Sequence, residues 1–467
     1  MAAEDVVVRG RSGIDHAGPG EKSVGLEPLH DHRRAVGPLG VAGAREVLGE
    51  GGGDDEARAA AGSIHARSVP QPAVFDRAMQ TFDVIVVGTG GMGTAAACHL
   101  ARRGGRVLAL DRFPPAHDRG SSHGQTRLIR QAYYEHPDYV PLLLRASDAW
   151  RELEAASGRR LLVESGLVMA GPATGDVVPA ALESARIHGL AVEMLAAAAA
   201  ERRWPAFRIP HDWQVVFEPR GGYLFVEDCV RAHAEQAVAC GADLRAGVTV
   251  HGWRSAGRDI VVDTDAGGFA AARLVLCPGA WASDLLQLPR LPFVVLRKSL
   301  FWYGPPAAAA SGFGPGTLPC FAFDTPAGFF YGFPRLDDRG VKLAEHTGGR
   351  VVTDPLAVDR GIDPAEESRI ESWIAAYLPA LGRDRRAHAT CLYTMSPDSH
   401  FVLGLHPEHP QVAIAAGFSG HGFKFASVVG EILADLALTE STPRPIGFLS
   451  PERHLTRDVK PEARAER

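Results

Sequence analysis

The sequence is poor in cysteine and lacks any long run of basic or apolar residues. Its six cysteines are scattered over 467 residues and form no CxxC pair, which argues against a disulfide scaffold and against a metal cluster. The net charge of −6 is mild, and no lysine- or arginine-rich segment is interleaved with aromatic residues. The longest uncharged segment, 300–323, contains four prolines, which a membrane-spanning helix would not tolerate. We therefore expect no metal, no nucleic-acid partner, no membrane span, and free thiols in a reducing cytoplasm.

The first 78 residues differ in composition from the rest of the chain. Gly, Ala, Arg, Asp and Glu dominate this segment, and it shows no apolar periodicity. Met79 stands three residues before Phe82, where the first strand-like run begins. We therefore expect residues 1–78 to be disordered or a spurious extension. A genuine tail or targeting peptide is the alternative, although the many acids argue against a mitochondrial presequence.

A complete dinucleotide-binding pattern follows at 82–111. An apolar strand runs into a glycine-rich turn, then a helix of small residues, then a second strand that ends on an acid. Gly88 permits the tight turn, Gly90 lets the backbone approach a pyrophosphate, and Gly93 lets the helix pack closely on the strand. Asp111 stands at the distance expected for a carboxylate that binds the adenosine ribose. The free N–H groups of the helix N-terminus would face the phosphates.

The remaining sequence mixes helical and strand patterns, and its length favours two domains. Apolar spacing predicts helices at 139–155 and 228–240, and strands at 260–264, 274–276 and 412–415. The strand ending at residue 276 runs into a sharp turn that contains Gly279. Such a turn lays backbone against the middle of an extended dinucleotide, although an ordinary strand-to-helix turn has the same composition.

A second glycine-rich loop, 417–424, follows a strand near the C-terminus and leads into a helix. Gly420 and Gly422 belong to this loop, and Lys424 ends it. The positive end of the following helix, with Lys424 beside it, would stabilise negative charge on a bound group. A solvated lysine at the start of a helix is the alternative.

Four separate blocks carry a resemblance to a known family. They are GSSHGQTRLIR at 120–130, YGFPRLDDRGVKLAEH at 331–346, CLYTMSPDSHFVLGLHPEHP at 391–410 and AAGFSGHGFK at 415–424. The chain resembles the flavoproteins monomeric sarcosine oxidase and N-methyl-L-tryptophan oxidase from Phe82 to about residue 450. Chance similarity over four blocks is improbable.

The resemblance implies an α/β fold with two domains. One is a Rossmann-type FAD-binding domain of the glutathione-reductase-like kind, and the other is an α+β substrate domain on a mixed or antiparallel sheet. We assign 80–165, 225–295 and 390–445 to the first, 166–224 and 296–389 to the second, and 446–467 to a C-terminal tail.

The resemblance also implies a covalent cofactor. Cys391 resembles the family's cysteine that forms a thioether to the FAD ring, a bond for which a thiolate is the required nucleophile. A buried, inert cysteine is the alternative. Tyr393 stands two residues after Cys391 and shares its face if the segment is extended. Tyr393 could then line the flavin pocket; packing in the protein core is the alternative.

Further site residues follow from the same resemblance. Arg130 and Lys424 would bind the carboxylate of an amino-acid substrate, because arginine is a bidentate partner and lysine a point charge. Arg127 and His123 would lie near the flavin. Arg127 and Arg130 would point the same way if their segment were helical; a solvated arginine pair is the alternative.

The block at 331–346 supplies three candidate catalytic residues. Lys342 resembles the lysine that activates molecular oxygen, because its positive charge would stabilise superoxide as it forms. Tyr331 and His346 would border the substrate amine. A structural role is an equal alternative for these two.

The implied activity is flavin-dependent oxidation of sarcosine or N-methyl-L-tryptophan by a monomeric enzyme, yielding the primary amino acid, formaldehyde and hydrogen peroxide. Oxidation of a cyclic secondary amino acid such as L-pipecolate, an FAD-dependent dehydrogenase and a non-enzymatic nucleotide-binding protein are the alternatives. An aromatic pocket that suits a bulky substrate is a weaker hypothesis, because core packing explains its members equally well: Trp302, Phe321, Phe323, Phe329 and Phe330.

Overall fold

The computed structural model describes residues 79–455, so the predicted N-terminal extension and the last part of the predicted tail lie outside the described residues. The strands are β1 Gln80–Val87, β2 Val107–Asp111, β3 Thr126–Ile129, β4 Leu162–Val163, β5 Leu167–Pro172, β6 Glu193–Ala196, β7 Trp213–Glu218, β8 Gly222–Phe225, β9 Asp243–Ala246, β10 Val250–Ala256, β11 Asp259–Thr264, β12 Gly267–Leu276, β13 Val294–Gly304, β14 Cys320–Thr325, β15 Gly328–Phe333, β16 Val341–Glu345, β17 Arg350–Val352, β18 Asp384–Met395, β19 Val402–His406 and β20 His409–Ala416. The α-helices are α1 Gly91–Arg102, α2 Val140–Ser157, α3 Val177–His188, α4 Ala197–Arg203, α5 Val226–Ala239, α6 Ala282–Leu285, α7 Pro364–Tyr377 and α8 Ala426–Thr439.

The first sheet has a parallel centre with antiparallel additions. Strands β9, β2, β1, β12 and β20 are parallel neighbours in that order. The edge of β12 is divided: its first half pairs with β11 and its last three residues pair with β20. The carboxyl ends of β1, β2, β12 and β20 therefore meet at one edge, which is where open α/β sheets bind their ligands.

Helices α1 and α8 pack side by side in an apolar core against this sheet. Gly93, in the first turn of α1, lies so close to β1 that an added Cβ would sit 1.6 Å from the carbonyl oxygen of Gly88. A larger residue at position 93 would therefore push the helix off the strand, which is the role that the sequence predicted for it.

The second sheet is mixed and mainly antiparallel, in the order β17-β13-β16-β15-β14-β5-β7-β6, with β18 paired along most of β13. Residues alternate between its two faces. Phe321, Phe323 and Phe330 pack with Trp373 of α7 in one core. Tyr331 belongs to the opposite face, which looks toward the first sheet's ligand-binding edge.

A small third sheet, β3-β8-β4, contains the segment that carries Arg127. The sequence reading of a possible helix here is wrong, because Thr126–Ile129 is a strand. Arg127 and Arg130 consequently do not share a face, and their side chains reach different partners.

The predicted elements outside this segment are found, with longer bounds. Helices α2 and α5 and strands β11, β12 and β20 occupy the predicted positions. The predicted domain boundary at residue 390 falls inside β18, whose strand partner is β13 of the second sheet. Residues 446–455, the described part of the predicted tail, form two short 3₁₀ helices with Leu449 buried. Within residues 79–455, no helix has both the length and the apolar character that crossing a membrane requires.

Candidate active site

A cavity of about 410 Å³ extends from the ligand-binding edge of the first sheet to the inner face of the second. Twelve of the predicted site residues line it: Gly88, Gly90, Asp111, Arg127, Arg130, Gly279, Tyr331, His346, Tyr393, Gly420, Gly422 and Lys424. Cys391 and Lys342 are buried outside this lining. Cys391 contacts the lining residue Arg127, Lys342 donates to the carbonyls on either side of Gln125, and His123 is buried beside Cys391. Gly93 does not line the cavity; it allows the close packing of α1 on β1.

The end of the cavity at β1 and β2 has the geometry of a dinucleotide site. Gly90 begins α1, and an added Cβ there would meet only Ser122 Oγ, at 3.8 Å, so that the turn leaves room for a close ligand. The carboxylate of Asp111 accepts hydrogen bonds from the backbone of Thr89, at 2.6 Å, and of Phe113, at 2.8 Å. These bonds fix the carboxylate at the cavity wall.

Thr394 lines the cavity, and its buried hydroxyl has no hydrogen-bond partner among the described residues. Buried polar atoms are nearly always satisfied, so an orphaned hydroxyl in the wall of a large cavity is expected where a ligand completes the bonding. Together with the helix N-terminus and the glycine turn, it fits an FAD that extends along the cavity. No group of His, Cys, Asp and Glu between residues 79 and 455 is arranged to hold a metal ion.

The second glycine loop closes against β18. Gly420 has a φ of +80°, and an added Cβ would sit 2.3 Å from the ring of Tyr393. Only glycine satisfies both conditions. The loop therefore lies flat against the aromatic ring and brings Lys424 to the same cavity as Tyr393.

Cys391 lies among basic side chains behind this wall. Arg127 Nη2 is 3.1 Å from its sulfur. Burial raises the pKa of Cys391, but Arg127, His123 and Lys342 outweigh burial and lower that pKa to about 6. Cys277, which does line the cavity, has no such partners, and burial raises its pKa. Cys391 is therefore a thiolate at neutral pH.

Lys342 is buried between backbone carbonyls and aromatic rings. Its Nζ donates to Gly124 O at 2.6 Å and to Thr126 O at 2.7 Å. The rings of Phe333 and Trp302 lie 4.8 Å and 5.6 Å from it. Burial and the nearby Arg127 lower the pKa of Lys342, whereas the carbonyls and the aromatic faces favour its ammonium form.

Arg130 is held by an internal carboxylate and two tyrosine rings. Its Nη2 donates to both oxygens of Glu135, at 2.7 and 2.5 Å. The rings of Tyr133 and Tyr134 lie 4.1 and 4.3 Å from the guanidinium carbon. Burial raises the pKa of Glu135, but Arg130, His421 and Lys424 outweigh it and lower that pKa to about 2. This part of the cavity thus already holds one carboxylate between two cations.

Lys424 is buried, which corrects the alternative of a solvated lysine. Its Nζ donates to His421 O at 2.6 Å and to the hydroxyl of Tyr133 at 3.4 Å. Burial, then Arg130, lowers the pKa of Lys424 to about 7, and Glu135 opposes this shift. Its own backbone carbonyl accepts a hydrogen bond from Trp150 Nε1. Lys424 and Arg130 line the cavity together, as the sequence predicted for a carboxylate site.

Tyr331, His346 and Tyr393 line another part of the cavity wall. His346 Nδ1 and the hydroxyl of Tyr393 are 3.3 Å apart. Burial, then Lys298, lowers the pKa of His346 to about 3. Burial also raises the pKa of Tyr331 and of Tyr393. All three side chains are therefore neutral and offer hydrogen bonds without charge.

The structure corrects the hypothesis of an aromatic substrate pocket. Of the five aromatic residues named for it, only Phe329 lines the cavity. Phe321, Phe323 and Phe330 belong to the core under α7, and Trp302 packs beside Lys342.

Sequence reasoning missed two charged residues of this region. Glu135 follows Arg130 by five positions in the otherwise aromatic segment around Tyr133 and Tyr134. A buried acid needs a nearby cation, so an acid next to two aromatic residues could have indicated a buried ion pair in this segment. Lys298, within a strand of apolar residues, gave the same signal.

Comparison with known proteins places this geometry in context. Residues 83–436 match the family model described as FAD dependent oxidoreductase. The chain is 42% identical to monomeric sarcosine oxidase of Streptomyces avermitilis over 80% of this chain and 98% of that protein. It is 34% identical to N-methyl-L-tryptophan oxidase of Yersinia pestis, over 79% of this chain and 98% of that protein. Among solved structures, NikD, an unusual amino acid oxidase essential for nikkomycin biosynthesis, aligns with a TM-score of 0.70 at 30% identity, covering 80% of this chain and 98% of that one. The predicted resemblance and fold class are confirmed.

Proposed function

The chain belongs to the FAD dependent oxidoreductase family, and from that premise we propose that it oxidises the N-methyl group of a secondary amino acid such as sarcosine or N-methyl-L-tryptophan. The products are the primary amino acid, formaldehyde and hydrogen peroxide. The names of the two relatives support this substrate class. Bound FAD would supply the redox chemistry, taking a hydride equivalent from the substrate and passing electrons to oxygen.

One observation carries the proposal: Arg130 and Lys424 line one cavity, and both lower the pKa of a carboxyl group in its wall, that of Glu135. A substrate carboxylate would bind to the same two cations, Arg130 as a planar donor and Lys424 as a point charge. This holds the amino acid by its acid end and leaves its N-methyl end free to reach the flavin.

The neutral wall borders the substrate amine. His346 is uncharged at neutral pH because of its low pKa, and Tyr331 and Tyr393 are neutral phenols. Such groups exchange hydrogen bonds with an uncharged amine and offer no anion to hold its ammonium form. Since the amine then reacts in its neutral form, no strong catalytic base is needed.

We further propose that the FAD is attached covalently through Cys391. Its low pKa and the hydrogen bond from Arg127 supply the thiolate nucleophile. Leu392, Tyr393 and Thr394, the next residues of the same strand, line the cavity where the flavin ring would lie. Lys342, which is electrostatically coupled to both Arg127 and Cys391, would stabilise the negative charge that forms as oxygen is reduced.

The same proposal includes a monomeric protein in the cytoplasm. The name of the Streptomyces relative supports the monomer. All six cysteines are free thiols, which supports a reducing compartment. Size-exclusion chromatography with light scattering would test the first point.

The test is an assay of purified protein with sarcosine, N-methyl-L-tryptophan and L-pipecolate in separate reactions, with peroxide as the readout. We expect peroxide and formaldehyde with at least one N-methyl substrate. Peroxide with L-pipecolate alone would replace the substrate class by a cyclic one. Turnover only with an artificial electron acceptor would instead identify a dehydrogenase.

A further inference from the structure

Lys298 is a buried lysine with no role in the proposed chemistry. It lies on β13 opposite Cys391 of β18 and is 4% exposed. Its Nζ donates to three consecutive carbonyls: those of His346 at 3.0 Å, Thr347 at 2.6 Å and Gly348 at 3.0 Å. Across residues 79–455 no carboxylate forms an ion pair with it. All three of its donors are therefore used on one turn of the backbone.

The turn that Lys298 binds carries part of the active-site wall. His346, the first residue of the turn, lines the cavity and contacts the hydroxyl of Tyr393. The Nζ of Lys298 also lies 5.3 Å from the centre of the Tyr393 ring. One side chain thus contacts both members of the His346–Tyr393 pair from behind.

Besides Lys298, one neighbouring residue holds the turn: the N–H of His346 donates to Phe329 O at 2.7 Å, and Thr347 Oγ1 accepts from the N–H of Phe329 at 3.1 Å. Gly348 and Gly349 follow His346 closely and have φ values of +63° and +116°. Glycine in these conformations gives the turn a high entropy when it is released. A cation that binds three carbonyls offsets this freedom, because hydrogen bonds from charged donors are the strong ones.

The charged neighbours of Lys298 keep its ammonium form at neutral pH. Burial lowers the pKa of Lys298 to about 8, and Arg369 acts in the same direction. Glu345, Glu366 and Cys391 oppose them. The group therefore remains a cation under the conditions in which the enzyme would be assayed.

We propose that Lys298 is a positioning residue for the amine side of the active site: by binding the carbonyls of residues 346–348 it fixes the turn that holds His346 against Tyr393. The role in catalysis rests on the proposed function, whereas the role in fixing the turn does not. Lys298 contacts neither the substrate nor the reacting atoms and acts through His346 and Tyr393.

The experiment compares Lys298→Met with a matched variant of its neighbour. Arg297→Met removes an equally buried cation from the same strand, but the partners of Arg297 are Glu366, Ser299 and the carbonyls of Asp359 and Gly361. Hydrogen–deuterium exchange of a peptide covering 345–350, in the flavin-loaded protein, reports the turn itself. KM and kcat for the N-methyl substrate report the consequence.

For Lys298→Met we expect faster exchange in 345–350 and a KM raised about tenfold, with a smaller change in kcat, because the binding wall loosens while the flavin site is intact. Arg297→Met should lower the melting temperature without either effect. Lys298→Arg should recover part of the protection and of the KM, since it keeps the charge and some donors. If Lys298→Met does not fold, Lys298→Arg beside Arg297→Lys decides the same question.

Unchanged exchange and unchanged KM in Lys298→Met would overturn the proposal, as would an equal effect from Arg297→Met. If the wild-type protein oxidises no N-methyl amino acid, the proposed function is wrong. The comparison of hydrogen–deuterium exchange between Lys298→Met and Arg297→Met would still show whether Lys298 fixes the turn.

Discussion

Two buried groups of basic side chains lie at this cavity, each beside one internal anion. The thiolate group consists of Cys391 with Arg127, His123 and Lys342. The carboxylate group consists of Glu135 with Arg130, His421 and Lys424. In both, the basic side chains lower the pKa of the acid against the effect of burial, to about 6 for Cys391 and to about 2 for Glu135.

The two anions differ in what they can become. A thiolate is a nucleophile, so the thiolate group suits the proposed bond to the flavin, which would consume the charge. A carboxylate is a poor nucleophile and stays an anion, so Glu135 favours the charged forms of Arg130 and Lys424, the proposed partners of the substrate carboxylate. On the proposed function, similar electrostatics serve attachment in one region and recognition in the other.

The largest effect is expected in the thiolate group. Cys391→Ser should remove the covalent link altogether, because serine is not a nucleophile at this pH. Acid-precipitated wild-type protein is expected to keep its yellow colour, and the variant's pellet to be colourless. Cys277→Ser, a change at the cysteine that lines the cavity, should leave the pellet yellow. A yellow pellet from Cys391→Ser would show that Cys391 is not the attachment site, and the two anions would then no longer differ in their chemical role.

The next effect is expected at Lys342. Lys342→Met should slow the reaction of the reduced protein with oxygen about 10²-fold, the scale for losing one preorganised electrostatic partner. Anaerobic reduction by substrate should change little. Stopped-flow absorbance separates the two half-reactions. Arg339→Met is the control, because Arg339 also lies over the Trp302 ring, at 5.4 Å, but is exposed and paired with Asp337, whereas Lys342 is buried.

A smaller effect is expected in the carboxylate group. Lys424→Met should raise KM for an N-methyl amino acid about 10- to 100-fold, since a hydrogen bond to a charged group contributes roughly 1.5–3 kcal/mol. For an N-methyl amine without a carboxylate, such as N-methylbenzylamine, the same variant should match the wild type. An equal loss with both substrates would show that Lys424 does not recognise the acid.

The two groups should also respond to pH in opposite directions. Lys424 has a pKa of about 7 and loses its charge as pH rises through that value, so the affinity for a simple carboxylate such as propionate should fall about tenfold per pH unit above it. Cys391 has a pKa of about 6 and loses its charge as pH falls, so attachment of FAD to flavin-free protein should slow below pH 6. Flavin absorbance measures the binding of propionate, and acid precipitation measures the attachment of FAD. Binding and attachment that changed with pH in the same direction would contradict the assignment of separate roles to Lys424 and Cys391.

The smallest effect concerns Glu135. Because Glu135 raises the pKa of Lys424, Glu135→Gln should move the midpoint of propionate binding to lower pH by up to about one unit, or 1.36 kcal/mol. Glu152→Gln, which changes an acid paired with Arg145 away from the cavity, should not move it. An unmoved midpoint in Glu135→Gln would mean that Glu135 does not hold the charge of Lys424.

Local patterns predicted much of the fold and most of the wall of the site. The glycine turn at 88–93 and the helix at 426–439 follow from short-range spacing, so they could be read from the sequence. The separation of Arg127 from Arg130 could not, because the short strand β3 exists only through its pairing with β8, about a hundred residues later. The contact of Lys298 with the turn at 346–348 likewise depends on tertiary packing that no local pattern contains.

Strand β18 gives the proposed attachment a mechanical consequence. It belongs to the second sheet through β13, whereas the glycine turn that would hold the phosphates belongs to the first. A flavin bonded to Cys391 would therefore bridge the two sheets in the folded protein, covalently at the ring and through non-covalent contacts at the phosphates. The single bond closes no loop in the unfolded chain, but it would hold the FAD at a high effective concentration beside the first sheet and so stabilise the folded state. The attached protein should consequently unfold as one cooperative unit, and protein without flavin should open first along the seam between the sheets.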